Sequence, residues 1–268
     1  MICFPNAKIN IGLNVVEKRS DGFHNLETIF FPIGMKDALE CIESDSLQFE
    51  NSGLIIDGNP LDNLCIKAWK LLKQDFDIPP VHIHLHKAIP FGAGLGGGSS
   101  DATYTIKLLN DYFKLGISKE KMIEYALALG SDCPIFVINR SCYGTGRGEI
   151  LEPVTLNLDG CFLVLINPGI HVPTSEAFAS IIPHQPEYDL RESIQKPISE
   201  WNKYIFNDFE KSIFPKYPNI AEIKETLYKQ GALYAAMSGS GSSVFGIFEQ
   251  DVALQEIFPH YYCWIGLL

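Results

Sequence analysis

The run Pro90-Phe91-Gly92-Ala93-Gly94-Leu95-Gly96-Gly97-Gly98-Ser99-Ser100-Asp101 constrains this chain more than any other stretch, because five of the seven residues from Gly92 to Gly98 are glycine. Without Cβ atoms the backbone reaches positive φ at no steric cost and lets a ligand lie against bare peptide N–H groups. Behind the loop, Tyr104, Leu108, Leu109, Tyr112 and Phe113 carry a helical spacing, with Ser99, Ser100 or Asp101 near the N-cap. An anion in the loop would face the positive end of that helix, so the segment reads as a phosphate cradle. A flexible Gly/Ser linker is the bland alternative, but a linker has no ordered strand before it and no capped amphipathic helix after it.

Two familiar phosphate loops are excluded. Gly92-x-Gly94-x-x-Gly97 matches the dinucleotide fingerprint by letter, yet the acidic residue required about 20 positions on is missing. That position falls at Ile117 and Ser118, between helical patterns. No Lys-Ser or Lys-Thr pair follows the glycines, so the loop is not a Walker A motif either.

A chain of 268 residues with 46% hydrophobic content can bury one large core or two moderate ones. A composition shift at Glu149 to Pro153 divides it into expected domains 1–150 and 151–268. The formal charge of −11 argues against nucleic acid or an anionic membrane as the main partner and leaves room for a phosphorylated small molecule. Seven cysteines form no C-x-x-C pair, which suggests neither a disulfide framework nor a zinc ribbon but a reducing cytoplasm. Neither a signal peptide nor a membrane span is expected, since the start lacks the required regions and the apolar runs are short.

Between Ala7 and Val16, Ile9, Ile11, Leu13 and Val15 alternate with Lys8, Asn10, Gly12 and Asn14, the pattern of a strand with one core face and one polar face. Asp21-Gly22 marks a turn, and Leu26 to Ile33 resumes a strand. Helices are expected at Asn63 to Gln74 and at Lys119 to Leu129, the latter closed by Gly130 in the C′ position. Val81 to Leu85 reads as a strand, and Ile135 to Ile138 as a short buried segment. Further on come a strand at Phe162 to Ile166, helical patterns around Glu200 to Phe209 and Ile220 to Gln230, a second loop Ser238-Gly239-Ser240-Gly241-Ser242-Ser243, and a strand at Val244 to Phe248.

Lys8, set between Ala7 and Ile9 and beside Asn10 on the polar face, reads as part-buried, and a buried ammonium needs an anionic partner unless it snorkels to water. Asp132, in Gly130-Ser131-Asp132-Cys133-Pro134, reads locally as an Asx-turn or N-cap residue. His82, His84 and His86 share one strand face like a metal comb, but Val81, Ile83 and Leu85 between them explain the pattern as a half-buried strand with a wet outer face.

Three blocks together resemble the galactokinase, homoserine kinase, mevalonate kinase and phosphomevalonate kinase (GHMP) superfamily: the early strand with Lys8, the Pro90-to-Ser100 loop, and the Ser238-Gly239-Ser240-Gly241 loop. The blocks Asn6-Ala7-Lys8-Ile9-Asn10, Asp21-Gly22-Phe23-His24, Lys87-Ala88-Ile89-Pro90, Leu129-Gly130-Ser131-Asp132-Cys133-Pro134 and Asn207-Asp208-Phe209-Glu210 are similar to the branch whose acceptor is a cytidine-diphospho methylerythritol. Departures are an inserted Asn6, Glu17-Lys18-Arg19 where Gly-Arg-Arg is common, and Phe23 where tyrosine is usual. The tail after residue 250 carries no resemblance.

The resemblance implies an α+β, two-domain GHMP-kinase architecture, with an N-terminal domain like ribosomal protein S5 domain 2 and a ferredoxin-like C-terminal domain. It implies transfer of the γ-phosphoryl of ATP, with Mg²⁺ carried on the nucleotide and no separate protein-bound metal, by a monomer or homodimer. It assigns Asp132 as base and Lys8 as its partner. ATP would be held by Pro90, Gly92, Ala93, Gly94, Leu95, Gly96, Gly97, Gly98, Ser99 and Ser100, with Asn63 and Asn110 near the adenine; a helix N-cap and a helix end are their ordinary readings. Phe23 and Phe178 would sandwich the cytosine beside His24, unless both simply pack in the core, and Asn10, Thr174, Ser238 and Gly239 would contact the acceptor. Another small-molecule kinase of the superfamily, acting on mevalonate, homoserine or a sugar, and a catalytically silent nucleotide-binding regulator are the rival readings.

Overall fold

The computed structural model describes residues 1–55 and 59–268, and the chain divides into two compact units, each discontinuous in sequence. The first holds Met1–Ala7, Met35–Phe91 and Gly96–Arg140; the second holds Lys8–Gly34, Gly92–Leu95 and Ser141–Leu268. These interleaved units are not the consecutive blocks 1–150 and 151–268 that the composition shift suggested. The cause is strand pairing across the chain: the sheet order is Asn6–Lys18, His24–Lys36, Cys142–Thr145, Ile150–Pro153, so early strands join late ones, and residue 150 opens the last strand of that sheet.

In the first unit, Val81–Lys87 is sandwiched in its sheet between Ala38–Glu43, antiparallel, and Gln48–Gly53, parallel, with Ile2–Cys3 at the far edge beyond Ala38–Glu43. Val81, Ile83 and Leu85 point into a core shared with Leu39, Ile66, Leu72, Ile106 and Leu109. The helices Leu64–Asp75, Gly97–Phe113, Lys119–Leu129 and Cys133–Ile138 belong to the same unit. The histidines keep to the other strand face as expected. Ser52 Oγ lies 3.0 Å from both His84 Nε2 and His86 Nδ1, and among the described residues no cluster of three or more His, Cys, Asp or Glu could hold a metal. Gly130 follows the Lys119–Leu129 helix with its N–H on Ala126 O, but its φ of 170° is extended backbone, not the left-handed C′ conformation expected.

The second unit adds an antiparallel sheet in the order Tyr234–Met237, Val244–Phe248, Phe162–Asn167, Tyr262–Leu267. The tail that carried no sequence signal therefore forms an edge strand. Leu13, Val15, Val164, Ile166, Phe209, Ile220, Leu227, Val244 and Phe248 pack into this unit's core. The helical pattern around Glu200 to Phe209 splits into two tight 3₁₀ turns, Ile198–Lys203, and a helix, Asp208–Ile213. Asn207 makes the break: its Oδ1 accepts from Phe209 N–H and starts the second piece, while its Nδ2 donates to Met237 O and Gly239 O, both at 2.8 Å.

Candidate active site

The glycine loop turns three times through left-handed backbone, at Gly92, Gly94 and Gly96 with φ of 61°, 77° and 68°. The helix behind it begins at Gly97, one turn ahead of the serines expected near the cap: Gly96 is the N-cap, and among the described residues no side chain caps the opening N–H groups. Ser99 and Ser100 stand inside the first turn, Ser100 N–H already donating to Gly96 O. A glycine cap follows from the left-handed turn required there. Its chemical result is a helix start whose donors take no side-chain acceptor, at the positive end of the helix dipole, which is the arrangement that receives a phosphate.

The first unit buries a cluster of three charges that sequence reasoning did not assemble. Lys87 Nζ donates to Asp37 Oδ2 at 2.5 Å and to Asp101 Oδ2 at 2.8 Å, and the three side chains are 1%, 0% and 3% exposed. Asp37 Oδ1 also accepts from the N–H groups of Ala88 and Ile89, which fixes the chain where it leaves the strand for the loop. With both carboxylates ionised the cluster carries one negative charge in excess. Burial pushes the Asp101 carboxyl up to about 7, with Lys87 pulling it back and Asp37 adding to the rise. Burial opposes the Lys87 charge, but the two carboxylates outweigh it and hold the ammonium above its ordinary pKa. Asp101 Oδ1 and Ser100 Oγ are buried with no hydrogen-bond partner. Lys87, Asp101, Gly98, Phe91, Asn63 and Leu64 help line a cavity of about 260 Å³. Asn63 is at once the N-cap of Leu64–Asp75, accepting from Cys65 N–H at 2.8 Å, and part of this wall.

In the second unit, Lys8 is 2% exposed, so the polar face of its strand is as buried as the apolar one. Lys8 N–H donates to Leu95 O, and Lys8 Nζ donates to Asn10 Oδ1 at 2.5 Å and to Gly94 O at 3.1 Å. Ser238 Oγ accepts from Asn10 N–H at 3.2 Å and donates to Gly94 O at 2.9 Å. Lys8, Asn10, Gly94, Leu95, Ser238 and Gly239 thus form one buried knot, tied by Asn207 to the Gly239 carbonyl.

Other expected residues lie elsewhere. Asp132 belongs to the first unit, half-buried at the N-cap of Cys133–Ile138; its helical backbone angles leave it without the capping hydrogen bond its local sequence suggested. Asn110 sits near the end of the Gly97–Phe113 helix, its Oδ1 accepting from Ile117 N–H at 2.8 Å. Twelve residues at 1.5 Å each put it about 18 Å along the helix from Gly98, so the structure does not bring Asn110 to the cavity. Phe23 and Phe178 each carry a different neighbour on the ring. His24 stacks on Phe178 with ring centroids 4.7 Å apart, Phe178 meets Phe209 edge-on, and the Arg147 guanidinium lies over the Phe23 ring at 4.9 Å. Phe23 is 53% exposed, which a core residue would not be. Thr174 opens the short helix Thr174–Phe178, its hydroxyl 3.4 Å from Ser240 Oγ.

Comparison with known proteins gives the family and the fold. A solved structure titled crystal structure of 4-(cytidine 5'-diphospho)-2C-methyl-D-erythritol kinase superposes with a TM-score of 0.85 at 29% identity, covering 99% of this chain and 98% of that one. The GHMP kinases N terminal domain model matches residues 63–140, and the GHMP kinases C terminal model matches residues 190–259. A 4-diphosphocytidyl-2-C-methyl-D-erythritol kinase from Bacteroides fragilis is 54% identical over 98% of both chains, and one from Parabacteroides distasonis is 52% identical over 100% of both. The chain belongs to the 4-diphosphocytidyl-2-C-methyl-D-erythritol kinase family of GHMP kinases. A mevalonate kinase structure, with a TM-score of 0.70 at 14% identity, shares the fold. As a member of this kinase family the chain is a phosphotransferase with the two-domain GHMP fold. No described helix is long and apolar enough to cross a membrane.

Proposed function

We propose that the chain transfers the γ-phosphoryl of ATP to the C2 hydroxyl of 4-diphosphocytidyl-2-C-methyl-D-erythritol. The observation that carries the reading is identity of 54% over 98% of both chains to a relative of that name. The uncapped start of the Gly97–Phe113 helix supports the phosphate half of it. In this reading the opening N–H groups of that helix and the glycine loop hold the ATP phosphates, and the cavity beside Asn63 takes the nucleoside. Phosphoryl transfer runs through a loose transition state, so positioning and charge neutralisation carry most of the acceleration. Asp132 takes the proton of the attacking hydroxyl, and the Lys8 ammonium neutralises charge where it develops. Mg²⁺ carried with the nucleotide fits the oxygens present: Ser100 Oγ and Asp101 Oδ1, buried without partners, would hold it, and the ion would offset phosphate charge. The cytosine stacks on Phe178 in the place His24 now fills, with His24 displaced to the base edge and Phe23 closing the other face. The work is done in the cytoplasm by a monomer or homodimer.

The test is ADP release with the cytidine-diphospho acceptor, mevalonate, homoserine and galactose in parallel, in wild type and in Asp132→Asn. Turnover is expected with the first acceptor alone, and the variant should bind ATP normally while kcat falls by roughly 10²- to 10⁴-fold, the span of a positioned base. Turnover only with another acceptor overturns the substrate; full activity in folded Asp132→Asn returns Asp132 to a turn residue.

A further inference from the structure

The knot around Lys8 has a direction, and the direction points to a residue that no comparison assigns. An ammonium only donates, so the atom of Asn10 that faces Lys8 Nζ at 2.5 Å has to be the amide oxygen. Reversing that amide would set an NH₂ against an NH₃⁺. The other end of the amide decides which way it lies. Asn10 Nδ2 is 3.0 Å from Thr28 Oγ1, and Thr28 Oγ1 lies 2.6 Å from the carbonyl oxygen of Gly12. A hydroxyl has one hydrogen, and a carbonyl can only accept, so the Thr28 hydrogen goes to Gly12 O and its oxygen is left to accept from Asn10. The relay runs one way, from Lys8 to Asn10 to Thr28, and ends on fixed backbone. All three side chains are buried, Thr28 at 1% exposure, so bulk solvent does not reach the relay and losing one member leaves its neighbour's bond unmade.

We propose that Thr28 is a positioning residue for the reaction: through Asn10 it sets where the Lys8 ammonium is held. The inference rests on the reading of Lys8 given above. Removing the hydroxyl leaves Asn10 Nδ2 a buried donor with nothing to meet, and the amide gains by turning toward another acceptor, taking its oxygen from Lys8. Thr28 touches no reacting atom, so its loss should act on turnover and spare nucleotide binding.

The experiment compares Thr28→Val, which exchanges the hydroxyl for a methyl of like size, with Thr28→Ser, which keeps the hydroxyl, and with Lys8→Met. For each, kcat, the KM for ATP and for the cytidine-diphospho acceptor, and the melting temperature are measured. Thr28→Val should lower kcat about 10- to 100-fold with the ATP KM within about twofold, and Thr28→Ser should restore kcat to within about threefold of wild type. If Thr28→Val does not fold, Thr28→Ala, which deletes the same hydroxyl without crowding the amide, carries the same expectation. Wild-type kcat in the valine or alanine variant, with Lys8→Met inactive, overturns the inference alone. A serine variant as slow as the valine one also overturns it, since the hydroxyl would then not be the cause. Full activity in Lys8→Met removes the reading of Lys8 and the inference with it.

Discussion

A side chain at position 94 has nowhere to go. A Cβ built on Gly94 falls 1.9 Å from Ser238 O, and its φ of +77° is one that other residues adopt at a cost. Gly98 differs: its Cβ would find nothing nearer than 3.9 Å. Gly94→Ala should therefore lower the melting temperature and abolish turnover, whereas Gly98→Ala keeps the fold and weakens ATP binding only through its place on the cavity wall; thermal melting and an ATP titration read the two effects. Equal stability of both variants would mean the loop yields more than its contacts suggest. Single residues also show what sequence could and could not reveal. Lys87 continues the inward register of Val81, Ile83 and Leu85, so a buried cation was visible in the alternation itself. Its partners were not, because Asp37 and Asp101 stand 50 and 14 residues away and only folding brings them to one nitrogen. Thr28 was hidden for the same reason: a threonine in an apolar strand looks like any β-former until its hydrogen-bond directions are known.

At the scale of elements, helix starts were readable in place but not in mechanism. Asn63 caps its helix as the sequence suggested, while the helix after the glycine loop begins on a bare glycine where a serine was expected. Periodicity locates a helix body; the first turn is set by what the backbone must do before it. Asn63 joins both roles, which makes it separable by substitution. Asn63→Ala should cost about 0.5–2 kcal/mol of stability through the lost cap, while Asn63→Asp keeps a capping oxygen and should melt like wild type yet show a raised KM for ATP. Asn110→Asp should leave that KM alone, since its helix carries it away from the cavity. Denaturant unfolding and ATP saturation curves decide both. An unchanged ATP KM in Asn63→Asp would limit Asn63 to capping. The Tyr262–Leu267 strand, by contrast, was invisible, because an edge strand of mixed burial offers no clear alternation.

At the scale of the molecule, no disulfide joins the seven cysteines, and burial does the chemistry on several of them. It pushes Cys41 from the ordinary 9.0 up to about 12 and Cys133 up to about 11. In the unfolded chain these thiols ionise near 9, but in the folded chain they do not until well above it. Between those values the folded state holds more protons, so stability falls as pH rises past about 9. The urea midpoint should drop between pH 8 and 10.5, and a Cys41→Ala, Cys133→Ala variant, though less stable at pH 8, should show a shallower drop. An equally steep drop in that variant would assign the alkaline loss to other groups. Finally, the Lys8 knot is stitched from Asn10 and Ser238, 228 positions apart along the chain. Contacts of such separation reward the chain only after a long loop has closed, which places them late in folding. The kinase cannot own this part of its machinery in any half-built form. Activity recovered during refolding therefore reports the finished molecule, and a chain arrested with its first unit formed would give a helical spectrum and be inert.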